Sequence, residues 1–127
     1  MNLRKFFKQN ILLLSMIVYP NSLRIFLLKL AGMKIGRNVY IDRFCIFDPY
    51  YTENIEIEDD VFISKRVMIF CHNIPNEKKK NNKNVSNSIE KVILKKGCKI
   101  ESSSIILKGA TIGENSIVKC KSVVNKN

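Results

Sequence analysis

Residues 92–124 read VILKKGCKIESSSIILKGATIGENSIVKCKSVV. A step of six through this stretch lands on Leu94, Ile100, Ile106, Ile112, Val118 and Val124, an aliphatic side chain each time. The same step upstream gives Ile35, Ile41 and Phe47, then Ile57, Ile63 and Ile69. All twelve sites are apolar, whereas the residues between them are mostly polar. Six is not a helical period, because an amphipathic helix repeats its apolar residues at spacings of three and four. Simple alternation is also excluded, since polar residues interrupt it at regular corners. Four residues beyond most sites comes a small or β-branched side chain: Val39, Cys45, Val61, Val67, Cys98, Ser104, Ala110, Ser116 or Ser122.

A fixed repeat is read before any single helix or strand. This one predicts a mainly β chain wound into a triangular coil, with one short strand and one turn per hexad and three hexads per coil. About four coils result. Each aliphatic points to the axis and stacks on its counterpart one coil away, giving the rows Ile35/Ile57/Leu94/Ile112, Ile41/Ile63/Ile100/Val118 and Phe47/Ile69/Ile106/Val124. The small residue is expected to let the corner bend. Burying each side chain contributes about 2 kcal/mol, against the entropy of ordering it. Coils touch only their neighbours, as in other solenoids, so both ends need a cover. Two interruptions break the count. Asp48 to Asn54 includes a four-residue bulge, and residues 73–91 form a Lys-, Asn- and Ser-rich excursion. The excursion has the composition of a solvated loop, and a long loop inserted in a regular solenoid is more often functional than accidental.

Residues 1–32 stand apart from the repeat of 33–127. Arg4, Lys5 and Lys8 precede the apolar run Ile11 to Tyr19, which Pro20 closes. Asn21 or Ser22 is expected to cap a second helix through Leu30, with Gly32 as its stop. The basic start and short apolar run imitate a secretory signal, but no small-x-small cleavage site follows. Two readings remain for this segment: a helical cap on the main body, or a hairpin on the cytoplasmic membrane face anchored by its lysines.

The composition is globular, 46% hydrophobic and 26% charged. No stretch reaches the roughly 20 apolar residues of a membrane-spanning helix. Twenty-two basic against eleven acidic residues give +11, a balance suited to nucleic acid, an anionic membrane or a phosphate-rich ligand. Five arginines beside seventeen lysines argue against nucleic acid, because bidentate base reading leans on arginine. Cys45, Cys71, Cys98 and Cys120 form no CxxC pair, which points to a reducing, cytoplasmic setting. One histidine, His72, leaves no zinc-ligand spacing, so no metal is expected.

With the hexads on the page, the sequence resembles the hexapeptide-repeat acyltransferases, which fold as a left-handed parallel β-helix. Val92-Ile93-Leu94 through Ile112-Gly113-Glu114-Asn115-Ser116-Ile117-Val118, then Ser122 to Lys126, is similar to the closing coils of maltose, galactoside and xenobiotic O-acetyltransferases and of their polysaccharide-modifying relatives. Ile57-Glu58-Asp59-Asp60-Val61-Phe62-Ile63 followed by Ile69-Phe70-Cys71-His72-Asn73 resembles the coil leading into the family's catalytic histidine. The handedness comes from the resemblance alone. The resemblance implies a homotrimer in which His72 of one chain meets acetyl-CoA lying along a neighbour's coils. It puts cofactor contacts at Ser102, Cys120, Asn125 and Lys126. A zinc hydratase resembles these coils too, but needs three histidine ligands.

Acyl transfer from a thioester to a hydroxyl needs a base, donors for the tetrahedral oxyanion and two substrates held together. Histidine suits the first task because its ordinary pKa lies near the working pH. His72 is therefore expected to be the general base. Cys71 beside it suggests a Cys–His nucleophile, which the opposite facing of adjacent strand residues disfavours. The resemblance implies that Asp48 orients His72 or binds the acceptor, as carboxylates near this point of the fold are common in relatives; the other reading is that it forms the Asp48-Pro49-Tyr50 turn. Tyr50 and Tyr51 are candidates to stack on a sugar. Ser102 and Cys120 lie 18 apart, which stacks them on one edge in successive coils. The expected activity is CoA-dependent O-acetyl transfer to a sugar hydroxyl of a cell-surface polysaccharide or its precursor, in the cytoplasm or peripheral to the inner membrane face. The alternative is a catalytically degenerate subunit serving as an assembly or membrane-tethered scaffold. It draws on Lys95, Glu101 and Lys119, where relatives commonly carry glycine, and on Lys99, where they often carry an aromatic.

Overall fold

The computed structural model describes residues 3–72 and 89–126. Two helices, α1 (Leu3–Ser15) and α2 (Asn21–Leu30), precede the strands. The first coil holds β1 (Lys34–Ile35), β2 (Tyr40–Ile41) and β3 (Ile46–Phe47). A 3₁₀ turn at Thr52–Asn54 leads to the second, with β4 (Ile55–Ile57), β5 (Phe62–Ile63) and β6 (Met68–Ile69). β7 (Val92–Leu94), β8 (Lys99–Ile100) and β9 (Ile105–Ile106) form the third coil. β10 (Thr111–Ile112), β11 (Ile117–Val118) and β12 (Val123–Val124) form the fourth.

Every third strand pairs in parallel. The first sheet runs β1-β4-β7-β10, the second β2-β5-β8-β11 and the third β3-β6-β9-β12. The chain is thus a mainly β, left-handed parallel β-helix with an N-terminal helical segment. The three rows expected from the sequence are the observed registers: Ile35↔Ile57↔Leu94↔Ile112, Ile41↔Ile63↔Ile100↔Val118 and Phe47↔Ile69↔Ile106↔Val124. Ten of the twelve side chains are buried. Ile35 and Val124, at the two ends, are half-buried against the same core.

The corners work differently from the sequence expectation. Among the described residues the bend is made three residues after nine of the aliphatics, not four. Asn38, Phe44, Asp60, Arg66, Ser103, Asn115 and Lys121 all have φ between 56 and 66°, and Gly97 and Gly109 occupy the same phase at 73 and 78°. The small residue that follows turns inward instead. Val39, Cys45, Val61, Val67, Cys98, Ser104 and Ala110 are buried, so their size is set by the space inside the corner.

The helices cover the first coil. Leu28, Ala31, Ile11 and Leu12 join the core. Asn21 does not cap α2, whose N-terminus has no side-chain cap. Its amide instead donates to the Val39 carbonyl at 3.1 Å and accepts from the Ile41 N–H at 2.9 Å. Arg24, 3% exposed, donates to the carbonyls of Ser15 (2.7 Å), Ile41 (2.6 Å) and Val18. These two side chains satisfy the outer backbone groups of β2, which would otherwise present an open strand edge. No described helix is long and apolar enough to cross a membrane.

Candidate active site

Ten of the positions three after an axial aliphatic fall at regular corners or at the chain end, and two do not. Tyr50 after β3 and His72 after β6 lack the left-handed backbone, and both lie on the edge between the third and first sheets. At Tyr50 the chain enters the bulge; at His72 it enters the excursion. Residues 73–88 of the excursion lie outside the described residues, but its stem is visible. The Glu90 N–H donates to the Cys71 carbonyl at 2.9 Å, and Lys91 pairs with Glu56.

Asp48 sits between these two openings and is 0% exposed. Its Oδ1 accepts the Tyr50 N–H at 3.0 Å and the Tyr51 N–H at 3.3 Å. Its Oδ2 accepts the Cys71 N–H at 2.9 Å and meets Nδ1 of His72. One oxygen thus closes the turn toward Tyr50 and Tyr51, and the other contacts Cys71 and the histidine ring. A carboxylate at Nδ1 favours the tautomer that carries the proton there and the lone pair on Nε2.

The imidazole is 22% exposed and lies against two tyrosines that also neighbour each other. The Tyr51 ring meets it edge-on at 5.3 Å between centroids and the Tyr50 ring at 5.9 Å. Tyr51 is packed on the core, whereas Tyr50 is exposed. The Lys5 ammonium lies 5.8 Å from the Tyr50 ring centroid, and Lys8 pairs with Glu53 at 3.1 Å. The first turns of α1 thus border the site, a neighbourhood that no spacing in the sequence announces.

Cys71 is fully buried. Desolvation, with the charge of Asp48 adding to it, pushes its thiol up to about 12. A neutral thiol turned into the core is no nucleophile, and the Cys–His reading falls.

The other candidates occupy two edges. Ser102 and Cys120 lie on the edge between the second and third sheets, in the third and fourth coils, where the Lys121 N–H donates to the Ser102 carbonyl at 3.0 Å. They stack as the spacing required, but within one chain they are not brought to His72. The Cys120 N–H donates to Glu101 Oε2 at 3.1 Å. Asn125 and Lys126 follow β12 on the His72 edge, two coils further on, with Lys126 3.7 Å from Glu90. Two surface hollows lie elsewhere, beside α2 and against the first sheet. The His72 rim is an open edge. Among the described residues, no three His, Cys, Asp or Glu side chains gather as metal ligands.

No family model and no curated protein matches the sequence. The fold is similar to crystal structures of a hexapeptide-repeat-containing acetyltransferase from Vibrio cholerae. One, complexed with acetyl coenzyme A and from O1 biovar eltor, aligns with a TM-score of 0.72 at 17% identity, covering 96% of this chain and 76% of that one. Another aligns with a TM-score of 0.73 at 16% identity, covering 97% and 80%. At that identity the likeness shows the hexapeptide-repeat fold.

Proposed function

We propose that this protein is a CoA-dependent O-acyltransferase that acetylates a sugar hydroxyl of a cell-surface polysaccharide or its precursor, with His72 as general base. The observation that carries the reading is the contact between Asp48 and His72 at an open edge of a hexapeptide-repeat coil. In this reaction Nε2 takes the proton of the acceptor hydroxyl while its oxygen attacks the thioester carbonyl. A C–O bond forms and the C–S bond breaks. The imidazolium then returns the proton to the departing CoA thiolate. Asp48 keeps the ring in the basic tautomer and balances its charge as it protonates.

A homotrimer completes the site in this reading. The outward residues of the third sheet, Ile46, Met68, Ile105 and Val123, form an unbroken apolar row, the kind of surface that self-association covers. Its two borders are the edge with His72 and the edge with Ser102 and Cys120. Packing three such sheets around a common axis sets the His72 edge of one copy beside the Ser102–Cys120 edge of the next. Acetyl-CoA would lie between them, with Asn125 and Lys126 toward one end. The reading places the enzyme in the cytoplasm, with its helical end against the inner membrane face.

One observation favours the scaffold alternative: the Glu101 carboxylate occupies the Cys120 N–H, on the edge assigned to the cofactor. Calorimetric titration with acetyl-CoA separates the two, since the enzyme binds it and a degenerate scaffold does not. Loss of acetyl groups from the source organism's glycan on gene deletion, restored by wild type but not by His72→Ala, tests the acceptor class.

A further inference from the structure

The N-terminal hairpin is amphipathic in the wrong sense for a simple lid. At about 100° per residue, Leu3, Phe6, Phe7, Leu13, Leu14 and the following Ile17 fall within one stripe of α1 about 120° wide, and all six are exposed. Asn10, the polar residue in that stripe, folds its amide back onto the Phe6 carbonyl at 2.7 Å. The basic Lys5 and Lys8 lie outside the stripe and reach toward Tyr50 and Glu53. In α2 the inversion is plainer. Arg24 is buried, while Leu23, Phe26 and Leu30, spaced as one helical face, are exposed. Tyr19, in the connection between the helices, is 83% exposed.

We infer that this face seats on an anionic lipid bilayer. Charge decides between a bilayer and a second copy of the chain. Besides the buried Arg24 and the Glu53-paired Lys8, residues 1–47 carry six Lys or Arg against one acid, Asp42. Two such ends repel one another, whereas a bilayer bearing acidic headgroups attracts both. A helix of 13 residues is about 20 Å long. That is too short to span a bilayer but suits one lying in its interface, with aromatic and aliphatic side chains below and the basic body above.

The inference also deepens the acyltransferase reading, and in this part it rests on it. Lys5 and Lys8 connect the body-facing side of α1 to Tyr50 and Glu53 beside His72. With the apolar stripe in the lipid, Lys5 and Lys8 point away from the bilayer toward Tyr50 and Glu53, so the site lies on the far side of the helix from the lipid. That side suits the sugar of a membrane-anchored glycan.

The test is co-sedimentation of the full chain with vesicles of phosphatidylcholine containing phosphatidylglycerol, against vesicles of phosphatidylcholine alone. The wild type pellets with the anionic vesicles. The variant Phe7→Gln/Leu14→Gln/Phe26→Gln, whose altered side chains are exposed, keeps its circular dichroism and loses binding by roughly tenfold or more per side chain removed. Unchanged partitioning of that variant overturns the inference. So does a wild type that stays in the supernatant, or an oligomer that dissociates on the triple substitution without any vesicle binding. Thiol release from acetyl-CoA with a water-soluble sugar, measured on the wild type beside the sedimentation, keeps the two claims apart. Normal turnover without vesicle binding in the wild type removes the membrane claim alone; vesicle binding without turnover removes the enzyme claim and, with it, the anchored acceptor.

Discussion

Oδ2 of Asp48 meets Nδ1 of His72 across 24 residues of sequence, and the same oxygen accepts the Cys71 N–H. The carboxylate therefore ties the start of the excursion to the start of the bulge, and it engages Nδ1 of the ring, leaving Nε2 as the other nitrogen.

Replacing Asp48 by Asn tests that relationship. The amide can still accept from Tyr50 and Tyr51, but the group nearest Nδ1 becomes a donor, which favours the tautomer with the proton on Nε2. Asp48→Asn should lower kcat by roughly 10³–10⁴-fold and alter the pH–rate profile, while lowering unfolding free energy by only about 1–3 kcal/mol. A loss of stability that accounts for the whole loss of activity would make Asp48 a structural residue.

The cysteines should divide by burial. Desolvation pushes Cys45 and Cys98 up to about 11 and Cys71 up to about 12, whereas Cys120 is exposed. Iodoacetamide at pH 8 should label Cys120 in the native protein and all four after denaturation, as read by intact mass. The thiols bind their protons more tightly folded than unfolded, where they ionise near the ordinary value of 9.0. Stability should therefore fall as pH rises above about 9 and continue falling toward 12. Cys71→Ser should leave the reaction running.

The axial ladder should show position-dependent costs. Ile63 and Ile100 are 0% exposed and have a neighbour on each side. Either one changed to Ala should cost about 2–5 kcal/mol in urea denaturation. Val124→Ala, at the half-buried end of its row, should cost less. Equal penalties would contradict the ladder.

Corner chemistry makes the opposite kind of prediction. Lys121 is exposed and held at φ 59°. Lys121→Asn, which tolerates that backbone, should raise unfolding free energy by up to about 1 kcal/mol, and Lys121→Val should lower it by more. Thermal melting of the two variants reads both signs.

The core was legible because its period is short and its side chains are all of one kind; the three rows follow from counting. The corners are less legible: the small side chains at the fourth position suggest a bend there, one residue beyond where the backbone makes it. The signal lay at the third, where Asn38, Asp60, Gly97, Gly109 and Asn115 are the types that accept positive φ, diluted by Phe44, Arg66 and Lys121. The burial of Arg24 and the outward face of α1 could not be read, because the usual rule that a helix turns its apolar stripe inward points the wrong way here: the exposed stripe is the apolar one. Asp48 and His72 were each singled out from the sequence. Their contact depends on the bulge closing against the excursion stem, which no spacing encodes.

Thiol release from acetyl-CoA in the presence of a sugar acceptor, compared between wild type and His72→Ala with CoA binding measured on both, tests the central claim most directly. The account predicts turnover by the wild type, a loss of about 10²–10⁴-fold in the variant, and retained CoA binding. Equal turnover by the two proteins, or a wild type that binds no CoA, would contradict it.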